Sequence, residues 1–159
     1  MAFRVLDSSA FYAGIPFSSN EPSYITSLVY NEIEHIKKDH DAVQILIETK
    51  RLMISDPEHQ FIITANNAAK KSGDFPNLSD EDVSTIALSL QLKAELVTDD
   101  FAISNVAKNL SIKVIPVMTS GIKNVIIWKY YCPGCKTDFS KVTECPRCGN
   151  RLKRKPMKN

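Results

Sequence analysis

Apolar residues along the chain gather into short β-leaning runs and helix-spaced stripes that alternate. Phe3 to Leu6 is one such run, ending in Asp7, and predicts a strand feeding a loop. Thr26 fits the N-cap of a helix reaching about Lys38, because Leu28, Val29, Ile33 and Ile36 recur at helical spacing. Ala42 to Leu52 reads as a second helix. Asp56, Pro57 and Glu58 supply a cap, a proline at the first helical position and an early acid; with Ala65, Ala68 and Ala69 and a stop at Gly73 they predict a third.

Ser79 to Asp82 has the form of a capping box, followed at helical spacing by Val83, Ile86, Ala87 and Leu90. Leu88 and Leu92 fall on the other side, so this helix is apolar nearly all round and is expected at the centre of the fold. Leu96 to Thr98 reads as a strand, Phe101 to Leu110 as a helix and Val114 to Val117 as a strand. Helices alternating with short apolar strands predict an α/β domain with a mainly parallel sheet. Residues 1–120 form this body, 121–126 a hinge, 127–152 a small second unit and 153–159 a basic tail.

Charge divides the chain at the same place. Residues 1–120 hold 10 Lys and Arg against 16 Asp and Glu, a net of −6, whereas residues 121–159 hold 10 against 2, a net of +8. An acidic body joined to a strongly basic end suggests that the end meets a polyanion, nucleic acid first of all. No apolar run approaches the roughly 18 to 20 residues of a membrane span, and the start MAFRVLDSSAF carries neither a basic leader nor a small-residue cleavage site. The expectation is a cytoplasmic protein with no membrane partner.

All four cysteines fall in the second unit, as CPGC (Cys132, Cys135) and, nine residues on, CPRC (Cys145, Cys148). Two such hairpins present four thiolates tetrahedrally, the arrangement of a structural zinc ribbon. The competing readings are two disulfides or a rubredoxin-like iron site. A cytoplasmic setting disfavours the first, and a basic ribbon without a redox-partner motif disfavours the second. Lys129, Lys136, Lys141, Arg147, Arg151, Lys153, Arg154, Lys155 and Lys158 surround the cysteines, with Trp128, Tyr130, Tyr131 and Phe139 interleaved. Cations for phosphates and rings for unstacked bases suit RNA. Alternatively the rings are the ribbon's own core and the tail a solvated coil.

The body concentrates carboxylates where strands end. Asp7 follows the first strand, Asp99 and Asp100 follow Leu96-Val97, and Asp82 lies in the first turn of the central helix. In an open parallel sheet such strand ends line the ligand crevice. Glu32 lies one turn from Leu28 and Ile36, so it interrupts an apolar stripe and is expected to face the body. Each acid alone also fits a cap or a turn. Together, without a basic partner, they form an oxygen-rich site for Mg²⁺ or Mn²⁺, ions that activate water for attack on a phosphodiester. His35, His40 and His59 read as surface residues. Ser8 and Ser9 can orient a phosphate or cap the next helix. No P-loop, G-x-S-x-G or dinucleotide glycine motif is present.

Asp7, Glu32, Asp82 in LSDEDVSTIAL, and TDDFAISNVA together resemble the PIN-domain nucleases. A PIN body followed directly by a four-cysteine ribbon and a basic tail is similar to the Nin-one-binding endonuclease family of ribosome assembly. The type is archaeal, because the extra sequence of eukaryotic relatives between body and ribbon is absent. The resemblance implies an endoribonuclease that trims the 3′ end of the small-subunit (16S-type) ribosomal RNA precursor, with that RNA and the pre-ribosomal particle as partners. It further implies that Asp7, Glu32 and Asp82 hold the Mg²⁺ or Mn²⁺, with a fourth acid in Thr98-Asp99-Asp100. The family's pattern of Thr, any residue, then Asp favours Asp100, with Asp99 as a substitute. A second reading is a non-catalytic ribosomal-RNA-binding assembly factor whose acids are structural.

Overall fold

The computed structural model describes residues 3–18, 20–33, 40–117, 128–134, 138–139, 149 and 151–156. Five strands, β1 (Arg4–Leu6), β2 (Ser23–Ile25), β3 (Leu52–Ile54), β4 (Glu95–Val97) and β5 (Val114–Ile115), form a parallel sheet in the order β3-β2-β1-β4-β5. The chain winds outward from β1 in one direction to β3, then returns to build β4 and β5 on the other side. The strand order therefore reverses between β1 and β4, and a crevice opens at the carboxyl ends of those two strands.

Helices α1 (Ser8–Tyr12), α2 (Ile15–Ser18), α3 (Ser27–Ile33), α4 (His40–Glu48), α5 (His59–Ser72), α6 (Asp80–Leu92) and α7 (Phe101–Asn109) cover both faces. Neighbouring residues of one strand serve opposite cores. Val5 and Leu96 pack with Ala65, Ala69, Ile86 and Val106 from α5, α6 and α7. Leu6 and Val97 pack with Phe11, Val29, Ile33 and Leu46 from α1, α3 and α4. Burial on both faces explains why the strands read as short continuous apolar runs rather than alternating ones.

The expected central helix is α6, and Ile86, Ala87 and Leu88 on it are fully buried. Its buried hydroxyls bond back to their own helix: Ser84 and Thr85 donate to the Glu81 carbonyl and Ser89 to that of Thr85. Polar side chains thus pass through the core without an unmet donor. Ile86→Ala is expected to lower stability by about 2 to 5 kcal/mol through lost burial and a cavity, read as a fall in the midpoint of denaturant unfolding.

Where the observed elements differ from the periodicity, helix termination accounts for much of the difference. The second helix stops at Glu48, and Leu52 opens β3. Lys50 adopts φ 59°, and the Arg51 N–H reaches back to the Leu46 carbonyl at 2.9 Å. Lys93 and Ser111 end α6 and α7 in the same left-handed way, at φ 52° and 61°, and Gly73 does so for α5 at φ 86°. Only the glycine advertises this stop in sequence. The run after β1 is not a loop, since Asp7 caps α1 directly. Asp56 does not cap α5. Its Oδ1 accepts from the Ser27 N–H and hydroxyl at 2.9 and 2.8 Å, bracing the start of α3. Ile36 and the end of the first predicted helix lie outside the described residues.

Beyond the body, β6 (Trp128–Tyr131), β7 (Asp138–Phe139) and β8 (Lys153–Pro156) form an antiparallel sheet in the order β7-β6-β8. The segment 153–156, expected to be part of a basic tail, is therefore a strand paired along β6. Cys132 is fully buried just after β6; Cys135, Cys145 and Cys148 lie outside the described residues. Among the described residues no helix is long and apolar enough to cross a membrane.

Candidate active site

Asp7 sits where β1 ends at the switch point. Its N–H still pairs with the Val97 carbonyl of β4 at 3.3 Å, while its side chain caps α1. Oδ1 accepts from the Ala10 N–H at 3.2 Å and the Ser9 hydroxyl at 2.5 Å; Oδ2 accepts from the Thr98 hydroxyl. The side chain is 95% hidden from solvent, its residual exposure being 5%. Burial pushes the Asp7 carboxyl above its usual range, the Ser9, Thr98 and Ala10 hydrogen bonds oppose this, and the charge of Asp100 adds to the rise.

The segment after β4 sorts the two candidate acids. Thr98 Oγ1 accepts from the Asp100 N–H at 3.0 Å, so one hydroxyl ties Asp100 to Asp7. Asp100 is exposed and caps α7, its Oδ1 accepting from the Ile103 N–H at 3.0 Å. Its charge bears on both Asp7 and Asp82. Asp99 is committed elsewhere: its Oδ1 accepts from the Val117 N–H at 2.7 Å, anchoring the chain after β5. Its own N–H donates to Ser9 Oγ at 3.4 Å.

Asp82 completes the predicted capping box. Its Oδ2 accepts from the Ser79 N–H at 2.9 Å and its N–H donates to Ser79 Oγ at 3.2 Å. Burial raises its carboxyl above the usual range despite these bonds, and the Asp100 and Asp7 charges push it further. Glu32 departs from expectation, because the residue is exposed and Leu28, one turn before it, is 38% exposed. Its carboxyl lies on the crevice rim, hydrogen-bonded by Ser8; partial burial raises it, followed by the charges of Glu81, Asp82 and Asp7. A bond of 2.8 Å between Thr26 and Ser84, across the starts of α3 and α6, holds these two helices in that relation.

The crevice thus brings Asp7, Asp82 and Asp100 together with Glu32 on its rim. Glu81 and Thr98 join them; Glu81 was not singled out in sequence, and Thr98 only as the first residue of the family's pattern. Glu81 looks like an ordinary first-turn acid, and Thr98 gains its place only from the β1–β4 register. The described ion pairs, Arg4–Glu21 at 3.0 Å and Lys113–Glu95 at 3.2 Å, engage the opposite ends of β1 and β4. The donors are carboxylate and hydroxyl oxygens, the set that suits Mg²⁺ or Mn²⁺. Among the described residues no three His, Cys, Asp or Glu side chains are grouped closely enough to hold a metal ion between them.

Burial of these carboxyls, with their mutual repulsion added, makes a stability prediction. With Asp7, Glu32 and Asp82 raised above ordinary values of 3.8, 4.5 and 3.8, the native state binds protons more tightly than the unfolded chain. Their contribution is full below those ordinary values and is lost as pH rises through the raised ones. A divalent ion reverses the trend by favouring the charged forms. Mn²⁺ should therefore raise the melting temperature at pH 7.5 and leave it unmoved near pH 4, as calorimetry can measure.

The basic unit touches the body beside this crevice. Tyr130, 6% exposed, donates its hydroxyl to the Gly73 carbonyl and accepts from Asn77 Nδ2 at 3.3 Å. Burial pushes the Tyr130 phenol above its usual range, against the nearby Arg154 charge. This ring is a docking plug and is not available to stack on a base. Arg151, Lys153 and Arg154 are exposed. Lys129 and Lys155 oppose each other across β6 and β8, while Lys136, Lys141, Arg147 and Lys158 lie outside the described residues.

A doubly wound parallel body with carboxylates at its switch point is the architecture of a nuclease PIN domain, and residues 5–92 match the family model described as the PIN domain of ribonuclease. Over nearly its whole length the chain is also similar to three archaeal proteins named endoribonuclease Nob1. It is 33% identical to that of Pyrococcus abyssi over 97% of this chain and 94% of the relative. It is 37% identical to that of Methanocaldococcus jannaschii over 100% of this chain and 80% of the relative. It is 32% identical to that of Methanothermobacter thermautotrophicus over 98% and 94%. The chain belongs to the Nob1 family of PIN-domain endoribonucleases.

Proposed function

We propose that this protein is a Mg²⁺- or Mn²⁺-dependent endoribonuclease that cuts the small-subunit ribosomal RNA precursor at its 3′ end during ribosome biogenesis, in the cytoplasm. The observation that carries the reading is the convergence of Asp7, Asp82 and Asp100 at the β1–β4 switch point, with Glu32 on the rim; burial first, and then the neighbouring acids, raise the carboxyls of Asp7, Glu32 and Asp82. The choice of ribosomal RNA rests on family membership and on the basic, four-cysteine end of the chain.

Asp7, Asp82, Asp100 and Glu32 would hold the ion. When bound, it supplies Lewis acidity at the phosphate and lowers the pKa of a coordinated water. The chain's own part is to prepare the donors. Ser9, Ala10 and Thr98 hold both Asp7 oxygens in place, and Oδ2, which accepts one hydrogen bond against two at Oδ1, keeps a further lone pair for a cation. Ser79 and Ile103 likewise orient Asp82 and Asp100 through their N–H groups. Fixed in advance, the donors need no reorganisation when charge develops on the phosphate. Cys132, Cys135, Cys145 and Cys148 would hold a structural zinc, and the basic residues around them would grip RNA phosphates.

The test is cleavage of a labelled RNA spanning the mature 3′ end, with and without Mn²⁺. Wild type and Asp99→Asn should cut at one position, and Asp100→Asn should not. RNA protected but uncut by wild type, in assembled precursor particles as well as free, would overturn the enzyme in favour of an assembly factor.

A further inference from the structure

Two large exposed rings adjoin the acid crevice and the basic unit's docking point, Phe101 beside Asp100 and Phe75 between Gly73 and Asn77. Phe101 is the first residue of α7, next to Asp100, and is 62% exposed. Burying a ring of this size is ordinarily favourable, so its exposure beside a reaction site asks for an occupant. Phe101 lies one helical turn, about 5.4 Å, before Asn105 on the same flank of α7. Asn105 is buried and donates to Asp74 Oδ2 at 2.6 Å, and Asp74 is followed by Phe75, 41% exposed. One hydrogen bond therefore links the helix bearing the first ring to the segment bearing the second.

That segment leads in both relevant directions. Gly73 and Asn77, on either side of Phe75, receive Tyr130 from the basic sheet, and Ser79 beyond them braces Asp82. The Lys70 ammonium lies 5.0 Å from the centre of the Phe75 ring, adding a cation at the same spot. From the exposed Arg151, Lys153 and Arg154 a strand would reach Lys70 and Phe75, then Phe101, then the carboxylates. The acid cluster repels phosphates until it is neutralised, so an uncharged contact next to it suits a nucleobase better than another cation would. Exposed rings in series beside cations are the platform that unpaired nucleic acid uses, because every base offers a π-face.

We infer that Phe101 and Phe75 are stacking platforms that lead an unpaired RNA strand from the basic sheet to the acid crevice. The inference rests on the endoribonuclease reading for the direction of the strand, and the rings make a separate, cleavage-independent prediction. Phe101 holds the strand by stacking, without sequence readout.

The experiment uses the full chain and a single-stranded oligoadenylate carrying 2-aminopurine, mixed without divalent ion so that nothing is cut. Wild type should change the 2-aminopurine fluorescence on binding. Phe101→Leu and Phe75→Leu keep apolar bulk but lose the π-face; each should weaken binding about tenfold and reduce the fluorescence change, while Phe101→Trp restores both. Ile45→Ala, on α4 and 58% exposed in wild type, should bind as wild type does. With Mn²⁺ and a cleavable RNA, Phe101→Leu should raise KM and leave kcat within about twofold. Binding and fluorescence unchanged in both Leu variants would overturn the inference, as expected of a face kept for a protein partner. Wild type that perturbs 2-aminopurine through these rings yet never cuts would overturn the nuclease reading and leave the platforms standing.

Discussion

Asp7→Asn should reduce RNA cleavage by about 100-fold or more while RNA affinity stays near that of wild type. The side chain meets Ser9, Ala10 and Thr98 through both oxygens and lies at the reversal of strand order, so it is positioned rather than merely present. Asn keeps the volume and the Oδ1 acceptor, and loses the negative charge that a divalent ion requires. Stability should move the other way. The wild-type carboxyl is raised by burial and by Asp100, so removing its charge relieves a strain that neutral pH imposes. In Mn²⁺-free buffer at pH 7.5 the variant should melt at or above the wild-type temperature, and Mn²⁺ should stabilise it less than wild type. Full cleavage by Asp7→Asn would remove the crevice from the mechanism, whereas a fall in melting temperature would mean that Asp7 is chiefly a helix cap.

The second large effect concerns the four cysteines. One zinc per chain is expected by elemental analysis, and Cys132→Ser should release it. Cys132 is fully buried directly after β6, the strand that pairs with both β7 and β8 and carries the Tyr130 plug. A sheet of three short strands with many lysines and arginines has little apolar surface to bury, so its folding is expected to draw on metal binding. Losing the metal should unfold this unit, detach Tyr130 from Gly73, and flatten the salt dependence of RNA binding as phosphate contacts are lost. The body, with its own two cores, should keep its cooperative melting transition. Retained zinc in Cys132→Ser would remove Cys132 from the metal site, and an unchanged salt slope would shift the RNA surface onto the body.

Much of the body was legible because its signals are local. The Ser79–Asp82 box, the Thr26 cap of α3 and the Gly73 stop each depend on a few adjacent residues, and each is present as read. The stops at Lys50, Lys93 and Ser111 were illegible for the converse reason. Left-handed residues other than glycine are selected by the helix and strand on either side, not by their own side chains. Strands β2 and β3 were missed, β2 because Ser23–Ile25 is not an apolar run and β3 because Leu52 reads as the end of the preceding helix; they exist through pairing with β1 and with each other. Glu32 was read as facing inward from a stripe in which Leu28 proves to be partly exposed.

The same division runs through the site. Chain chemistry alone fixes the supply of acids at strand and helix ends, the excess of negative charge in residues 1–120, and the four cysteines amid basic residues. It does not decide which acids meet. Asp7 and Thr98 are 91 positions apart, and they touch because β4 pairs beside β1 rather than beside β3. That register turns Thr98 toward Asp7, leaves Asp100 at the crevice and sends Asp99 to the chain beyond β5. Side-chain caps such as Ser79 and glycine stops such as Gly73 act within a few residues, so spacing reports them. Strand order arises from burying two apolar faces at once between α5–α7 and α1–α4, a balance over the whole body that no local segment contains.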